Sequence, residues 1–167
     1  MTQPDFAILL TAANRCVADR LVDAVATVGG GAMRPSFGFV LRAVAAEQPT
    51  VSRLAELLGV SKQAASRLAD DMVTSGFLLR ADDPADRRRM SLRLTGLGED
   101  VRARALAEST AMEAELRDRF GDLAVAHLRE LLTDFVERHG GGAELAAQRS
   151  RATVDDAQIP SRTSTRP

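Results

Sequence analysis

Apolar residues recur at steps of three and four near the start of the chain. Phe6, Leu10, Ala13, Val17, Leu21, Ala24 and Val28 share one stripe, which predicts a helix over 5–28. Gly29-Gly30-Gly31 ends it, because three glycines lose too much backbone entropy to stay helical. Pro35 is tolerated in a first turn, so Phe37–Glu47 reads as a second helix stopped by Pro49. Two short helices follow. Thr50 caps Val51–Leu58, which Gly59 terminates, and Ser61 caps Lys62–Ser75, which Gly76 closes. The second of these buries Ala65, Leu68, Met72 and Val73.

The periodicity then changes to two. Phe77–Ala81 and Arg88–Leu94 are β-like runs around an Asp-Asp-Pro-Ala-Asp turn. Met90, Leu92 and Leu94 alternate with Ser91 and Arg93, so the three apolar residues are expected to anchor a half-buried strand. Helical spacing returns from Thr95 to about Arg119 through Leu97, Val101, Leu106, Met112, Leu116 and Phe120. Gly121-Asp122 interrupts it. A last helix, Leu123–Arg138, carries Leu128, Leu131, Leu132, Phe135 and Val136. Beyond Gly140-Gly141-Gly142 the residues are mostly small or polar, and a disordered tail is expected, with at most a weak turn or two of helix over Ala143–Ala152.

Composition adds bounds. The chain is 45% hydrophobic, enough for a core, and rich in Ala, Leu and Arg with neither Tyr nor Trp, which favours helices over an all-β fold. No run approaches the ~20 apolar residues of a membrane span. The N-terminus lacks the basic lead of a secretory signal, and Cys16 is the single cysteine, so a cytoplasmic protein without an intrachain disulfide is expected. Net charge is −1, but its distribution matters more than its sum. Residues 49–95 hold eight Lys/Arg against six Asp/Glu, whereas residues 96–140 hold six against ten. Ser61–Ala69 and Arg87–Gly98 carry only positive charge.

Those basic windows fall on informative elements. In TVSRLAELLGVSKQAASRLADDMVTSGF, two short helices can cross steeply because Ala55 is small where they touch and Gly59 permits an unusual turn. Leu54, Leu58, Val60 and Leu68 are expected to pack the pair together. Lys62, Gln63, Ser66 and Arg67 are exposed near the start of the second helix. Arg can grip guanine, Gln can pair with adenine, and Ser or Lys can hold phosphate. A hairpin with an arginine-loaded tip follows at once, and the combination is a winged helix. Its tip projects beside the reading helix, where a narrow minor groove attracts Arg. Asp86 fits that surface as a carboxylate that bonds an arginine of the turn and braces the wing.

The run D-P-A-D-R-R-R-M-S-L-R-L-T-G-L-G resembles the wing and following helix start of the MarR family of transcriptional regulators. The matching residues are Asp83, Asp86, Arg87, Arg88, Leu92, Leu94, Thr95 and Gly98. Upstream, Leu54, Ala55, Leu58, Gly59, Val60 and Ser61, then Ser75, Gly76, Phe77, Leu78 and Arg80, also match. The resemblance spans roughly 5–138, with its specific motifs at 50–98. It implies a mainly α, winged helix-turn-helix homodimer that binds a pseudo-palindromic DNA operator, with repression the expected mode. On this reading 1–34 is an N-terminal dimerisation helix and linker, 35–95 the DNA-binding domain, 96–139 the C-terminal dimerisation helices and 140–167 the tail. Gln63, Ala64 and Arg67 fall where the family reads bases, Arg88 where it inserts a wing arginine, and Asp86 where it braces the wing. Ser61, Lys62, Ser66, Arg87 and Arg89 complete the DNA-binding set. Independently, the stripes at 5–28, 97–120 and 123–136 exceed what one winged helix can cover, and burial between subunits solves that.

Other chemistry is weakly signalled. Phe37, Phe39 and Met33 read most simply as core. They also lie where family members bind small aromatic or phenolic acids, so Met33 and Phe37, with Arg34 or Arg15 meeting a carboxylate, form a candidate effector site. Cys16 reads as a small core residue. ILLTAANR resembles the segment after the peroxide-sensing cysteine of some family members, but Ala7 stands in the cysteine's place and no tyrosine is present. That chemistry is therefore not carried over. His127 and His139 are badly spaced for a helical metal pair, and no metal or cofactor is expected. No nucleophile elbow or phosphate-cradling loop suggests an enzyme. The alternative is a winged-helix protein-interaction module without sequence-specific DNA binding; it has no need of Arg67 and an arginine wing together.

One prediction follows from the acidic residue in the basic tip. Asp86→Ala is expected to weaken DNA binding if wing geometry dominates, although removing a negative charge alone strengthens it. Anisotropy titrations at matched salt give the sign, and tighter binding sinks the bracing role.

Overall fold

The computed structural model describes residues 5–82 and 89–139. Six helices and one hairpin follow in order: α1 (Phe6–Ala26), α2 (Phe37–Glu47), α3 (Val51–Leu58), α4 (Lys62–Thr74), β1 (Leu78–Asp82), β2 (Met90–Leu94), α5 (Gly96–Phe120) and α6 (Asp122–Arg138). The ends are set by the expected chemistry. The Asp5 carboxylate accepts from the amides of Ala7 and Ile8, Thr50 Oγ1 from Arg53, and Ser61 Oγ from Ala64, each satisfying an orphan donor of a first turn. Gly59 takes the left-handed conformation (φ 65°), which lets the Val60 amide reach back to the Ala55 carbonyl at 3.0 Å and closes α3 before α4 turns away.

The core belongs to the winged helix. Phe37, Val40, Leu41 and Val44 of α2 meet Leu54 of α3, Ala65, Ala69 and Met72 of α4, Leu78 and Leu92 of the hairpin and Val101 of α5. The rings of Phe37 and Phe77 meet edge to face with centroids 6.1 Å apart, a favoured aromatic geometry. The hairpin is antiparallel from Leu78–Leu94 to Asp82–Met90. The Leu92 amide donates to the Pro49 carbonyl at 2.9 Å, so the α2–α3 link flanks the free edge of β2.

One small region joins the reading helix, the wing and α5. The Thr95 hydroxyl donates to the Gly76 carbonyl at 2.6 Å and accepts from the Gly98 amide, while the Thr95 amide donates to the Phe77 carbonyl at 3.1 Å. A Cβ on Gly98 would stand 2.1 Å from that same Phe77 carbonyl oxygen. The L-T-x-x-G motif is therefore a packing requirement.

The long arms are fixed by charge. Arg20 of α1 donates Nε to Glu108 at 2.6 Å and both Nη atoms to Glu115 of α5. Glu113 of α5 receives Arg129 of α6 and Arg117. The bonds from Arg129 and Arg20 hold the carboxyls of Glu113 and Glu115 below the usual carboxylate range.

Several expectations are corrected. The α1 helix stops at Ala26, because the Gly30 amide bonds to Val25 O and folds Thr27–Gly29 into a turn. Of the three strand anchors only Leu92 is fully buried. Leu94 is partly covered, and Met90 is 46% exposed because the last rung of the hairpin lies beyond the core. Ser91, expected outside, is buried beside the Pro49 contact, and its hydroxyl faces the Ala81 carbonyl at 3.4 Å. Val60, in the α3–α4 turn, and Phe39 of α2 are exposed where core was expected. Cys16 is also exposed, on the outer face of α1.

Gly98→Ala is expected to destabilise the fold by about 1–3 kcal/mol, since the clash is with backbone that cannot rotate away. Gly96→Ala, whose Cβ meets nothing within 4 Å, is the matched control. Urea midpoints measure both, and equal midpoints would remove the packing account.

Candidate nucleic-acid interface

The capped first turn of α4 sets out Lys62, Gln63 and Ala64 to solvent, with Arg67 one turn on and also exposed. Ala65, Ala69 and Met72 on the opposite face are fully buried, so the core fixes which side of α4 looks outward. Ser61 is exposed with its hydroxyl spent on the cap, and Ser66 is half-buried with its hydroxyl 3.5 Å from Asp70. Arg89 is exposed at the foot of the wing. Asp86, Arg87 and Arg88 lie outside the described residues.

Most arginines of the described residues are paired with carboxylates. Arg15, Arg20, Arg34, Arg53, Arg80, Arg102, Arg104, Arg117, Arg129 and Arg138 are each within salt-bridge distance of a carboxylate. Lys62, Arg67 and Arg89 pair with none of the described residues. The two carboxylates of α4 that could oppose them are neutralised from outside the helix. Arg80 of β1 holds Asp70 at 2.6 Å, and Arg34, in the loop before α2, holds Asp71 at 3.0 Å. Positive charge is thus left uncompensated on the outward side of α4. Arg93 Nη2 donates to the Asp82 carbonyl at 3.3 Å and ties the two strands together next to the tip.

A cavity of about 320 Å³ lies behind this surface, between α1, α2 and α5. Val17, Leu21 and Val22 of α1 and Ala105 and Leu106 of α5 give it apolar walls, and Phe39 forms part of its α2 side. Gly38 contributes no side chain, and only Met33 Cε comes near the place of its missing Cβ, at 3.9 Å. Of the four candidate effector residues, Met33 and Arg34 line this space. Phe37 instead points into the core, with the Arg34 guanidinium over its ring at 5.4 Å, and Arg15 is paired with Asp19 on the surface. Arg42 and Arg102 line the cavity and were not singled out from the sequence. Arg102 is held by Glu99 at 2.9 Å. Arg42 is half-buried with no partner among the described residues, and burial pushes its pKa down. Its sequence signal is that it is the single charge between Arg34 and Glu47. Among the described residues no group of three His, Cys, Asp or Glu side chains comes together as a metal site, and no helix there is long and apolar enough to cross a membrane.

Comparison with curated protein sequences returned no match. The MarR family model matches residues 39–89, from α2 to the foot of the wing. Among solved structures the chain is similar to RV1404 of Mycobacterium tuberculosis, with TM-score 0.61, 24% identity, and coverage of 84% of this chain and 98% of that one. It is similar to CouR of Rhodococcus jostii RHA1, solved with p-coumaroyl-CoA bound, at TM-score 0.59 and 22% identity over 80% and 95% of the two chains. Wild-type MarR of E. coli in its apo form gives TM-score 0.56 and 20% identity over 81% and 99%. The family match thus lies on the winged helix, and the solved MarR structure shares the fold of that segment together with its flanking helices.

Proposed function

We propose that the chain is a dimeric DNA-binding transcriptional regulator with repression as its mode, acting in the cytoplasm on a pseudo-palindromic duplex. The observation that carries this reading is the positive face of α4, where Lys62 and Arg67 meet no carboxylate among the described residues while Arg80 and Arg34 neutralise Asp70 and Asp71. Gln63, Ala64 and Arg67 read bases in the major groove, while Ser61, Lys62 and Ser66 approach phosphate. Arg87, Arg88 and Arg89 enter the minor groove on a wing braced by Asp86. Residues 35–95 bind DNA, and 1–34 with 96–139 build the dimer.

The dimer reading is supported by apolar surface. Phe6, Leu9, Phe120, Leu123, Leu128, Leu131, Leu132 and Phe135 are all exposed in one chain, Leu123 by 88% and Phe6 by 67%. Soluble monomers rarely leave so large a continuous patch uncovered. A second copy presenting the same helices covers it with two-fold symmetry. The cavity supports a small aromatic or phenolic effector that releases the DNA, since its walls are apolar and a cation lies among them. The neighbour CouR binds p-coumaroyl-CoA, a ligand of that general kind.

Two experiments test the reading. On a duplex selected from a random pool, affinity is expected to fall by about 0.9 log units per log unit of salt for each phosphate neutralised. Arg67→Ala is expected to cost about 1–3 kcal/mol per half-site and to relax base preference. An unchanged footprint after Arg67→Ala removes the base-reading role. Replacing Leu132 and Phe135 together by Asp is expected to yield monomers in sedimentation measurements, and a stable monomer of the unmodified chain at micromolar concentration refutes the dimer.

A further inference from the structure

The loop before α2 touches both the cavity and the reading helix through one side chain. Arg34 lines the cavity, and its Nη1 donates to Asp71 Oδ2 of α4 at 3.0 Å. Asp71 lies four residues beyond Arg67, one turn along the same face of α4. Asp70, the other carboxylate within a turn of Arg67, is held by Arg80 at 2.6 Å. Two arginines outside α4 thus occupy the two acidic side chains within a turn of Arg67. Arg80 is a neighbour on the wing strand. Arg34 is exposed, faces the cavity, and can leave.

The cavity itself asks for negative charge. Arg42 is a permanent cation set among apolar side chains and meets no carboxylate of the described residues. Taking a charge partly out of water without a counter-charge is costly, and a bound anion relieves that cost. The surrounding space of about 320 Å³ suits a flat apolar body of one or two rings.

We propose that Arg34 is a switch contact. In the empty protein it neutralises Asp71; an organic anion seated against Arg42 draws it into the cavity, and the released Asp71 then competes with DNA for Arg67. The inference rests on the DNA-binding reading for its output and on the cavity alone for its input. Because exposed ion pairs are worth a factor of a few each, occupancy is expected to weaken DNA binding roughly 2- to 5-fold per protomer, on the order of 10-fold for a dimer on both half-sites.

The test uses the full chain with cinnamate and its neutral isostere cinnamamide. Calorimetry is expected to show cinnamate binding at least about 10-fold tighter than cinnamamide, the preference lost in Arg42→Met, as for loss of a charge-assisted contact. Asp71→Asn is expected to bind cinnamate like the unmodified chain while its DNA affinity no longer responds to it. The carboxyl-carbon resonance of Asp71 reads the same event without DNA, and is expected to move on cinnamate addition in the unmodified chain but not in Arg34→Met. Equal binding of the two probes, no saturable binding of cinnamate at millimolar concentration, an Asp71 resonance that stays still, or an undiminished DNA response in Asp71→Asn overturns the proposal. A chain that binds no DNA at all refutes the DNA-binding reading instead, and calorimetry and the Asp71 resonance still decide the switch.

Discussion

The Phe77 carbonyl is the point on which the architecture turns. It accepts the Thr95 amide, and no side chain at position 98 can stand beside it. The end of α4, the start of β1, the end of β2 and the first turn of α5 meet within a few residues of it. The rigidity of this junction matters because α5 carries the charged clamp to α1 and the contact with α6, while α4 and the wing carry the basic face. The long helices and α4 thus meet at a joint with little room to give.

The charge pattern follows from competition for partners. Exposed ion pairs contribute little stability one by one, so their number is not what holds the fold. What they accomplish is selective silence. All but Arg119 of the arginines on α1, α5 and α6 are matched to glutamates and aspartates of these three helices, which also present exposed apolar residues. On α4 the pairing is reversed, since arginines from neighbouring elements remove the negative charges and leave the positive ones.

Gly38 and Arg42 both line the cavity from α2. Glycine inside a helix costs about 1 kcal/mol relative to alanine, yet Gly38 lies in the first turn of α2. A Cβ at that position would meet only Met33 Cε, at 3.9 Å. Arg42 sits one turn further on the same helix face, which explains how a charge tolerated by sequence rules becomes a feature of the interior.

The caps at Thr50 and Ser61 and the stops at Gly59 and Gly76 were legible in the chain because they depend on neighbours a few residues apart: each hydroxyl bonds an amide three residues on, and the glycines stop helices by backbone freedom alone. The reading face of α4 was legible for the same reason, since periodicity assigns Ala65 and Met72 inward and Arg67 outward. What alternation does not tell is where the core ends, so it places Met90 inward and Ser91 outward, whereas in the fold Met90 is exposed and Ser91 buried. The Arg34–Asp71 and Arg80–Asp70 pairs, the lack of a partner for Arg42 among the described residues and the cavity around it were likewise settled only by the tertiary structure. Pattern along a chain reports which face of an element is apolar; which charges meet across elements depends on distances that only the packed fold sets.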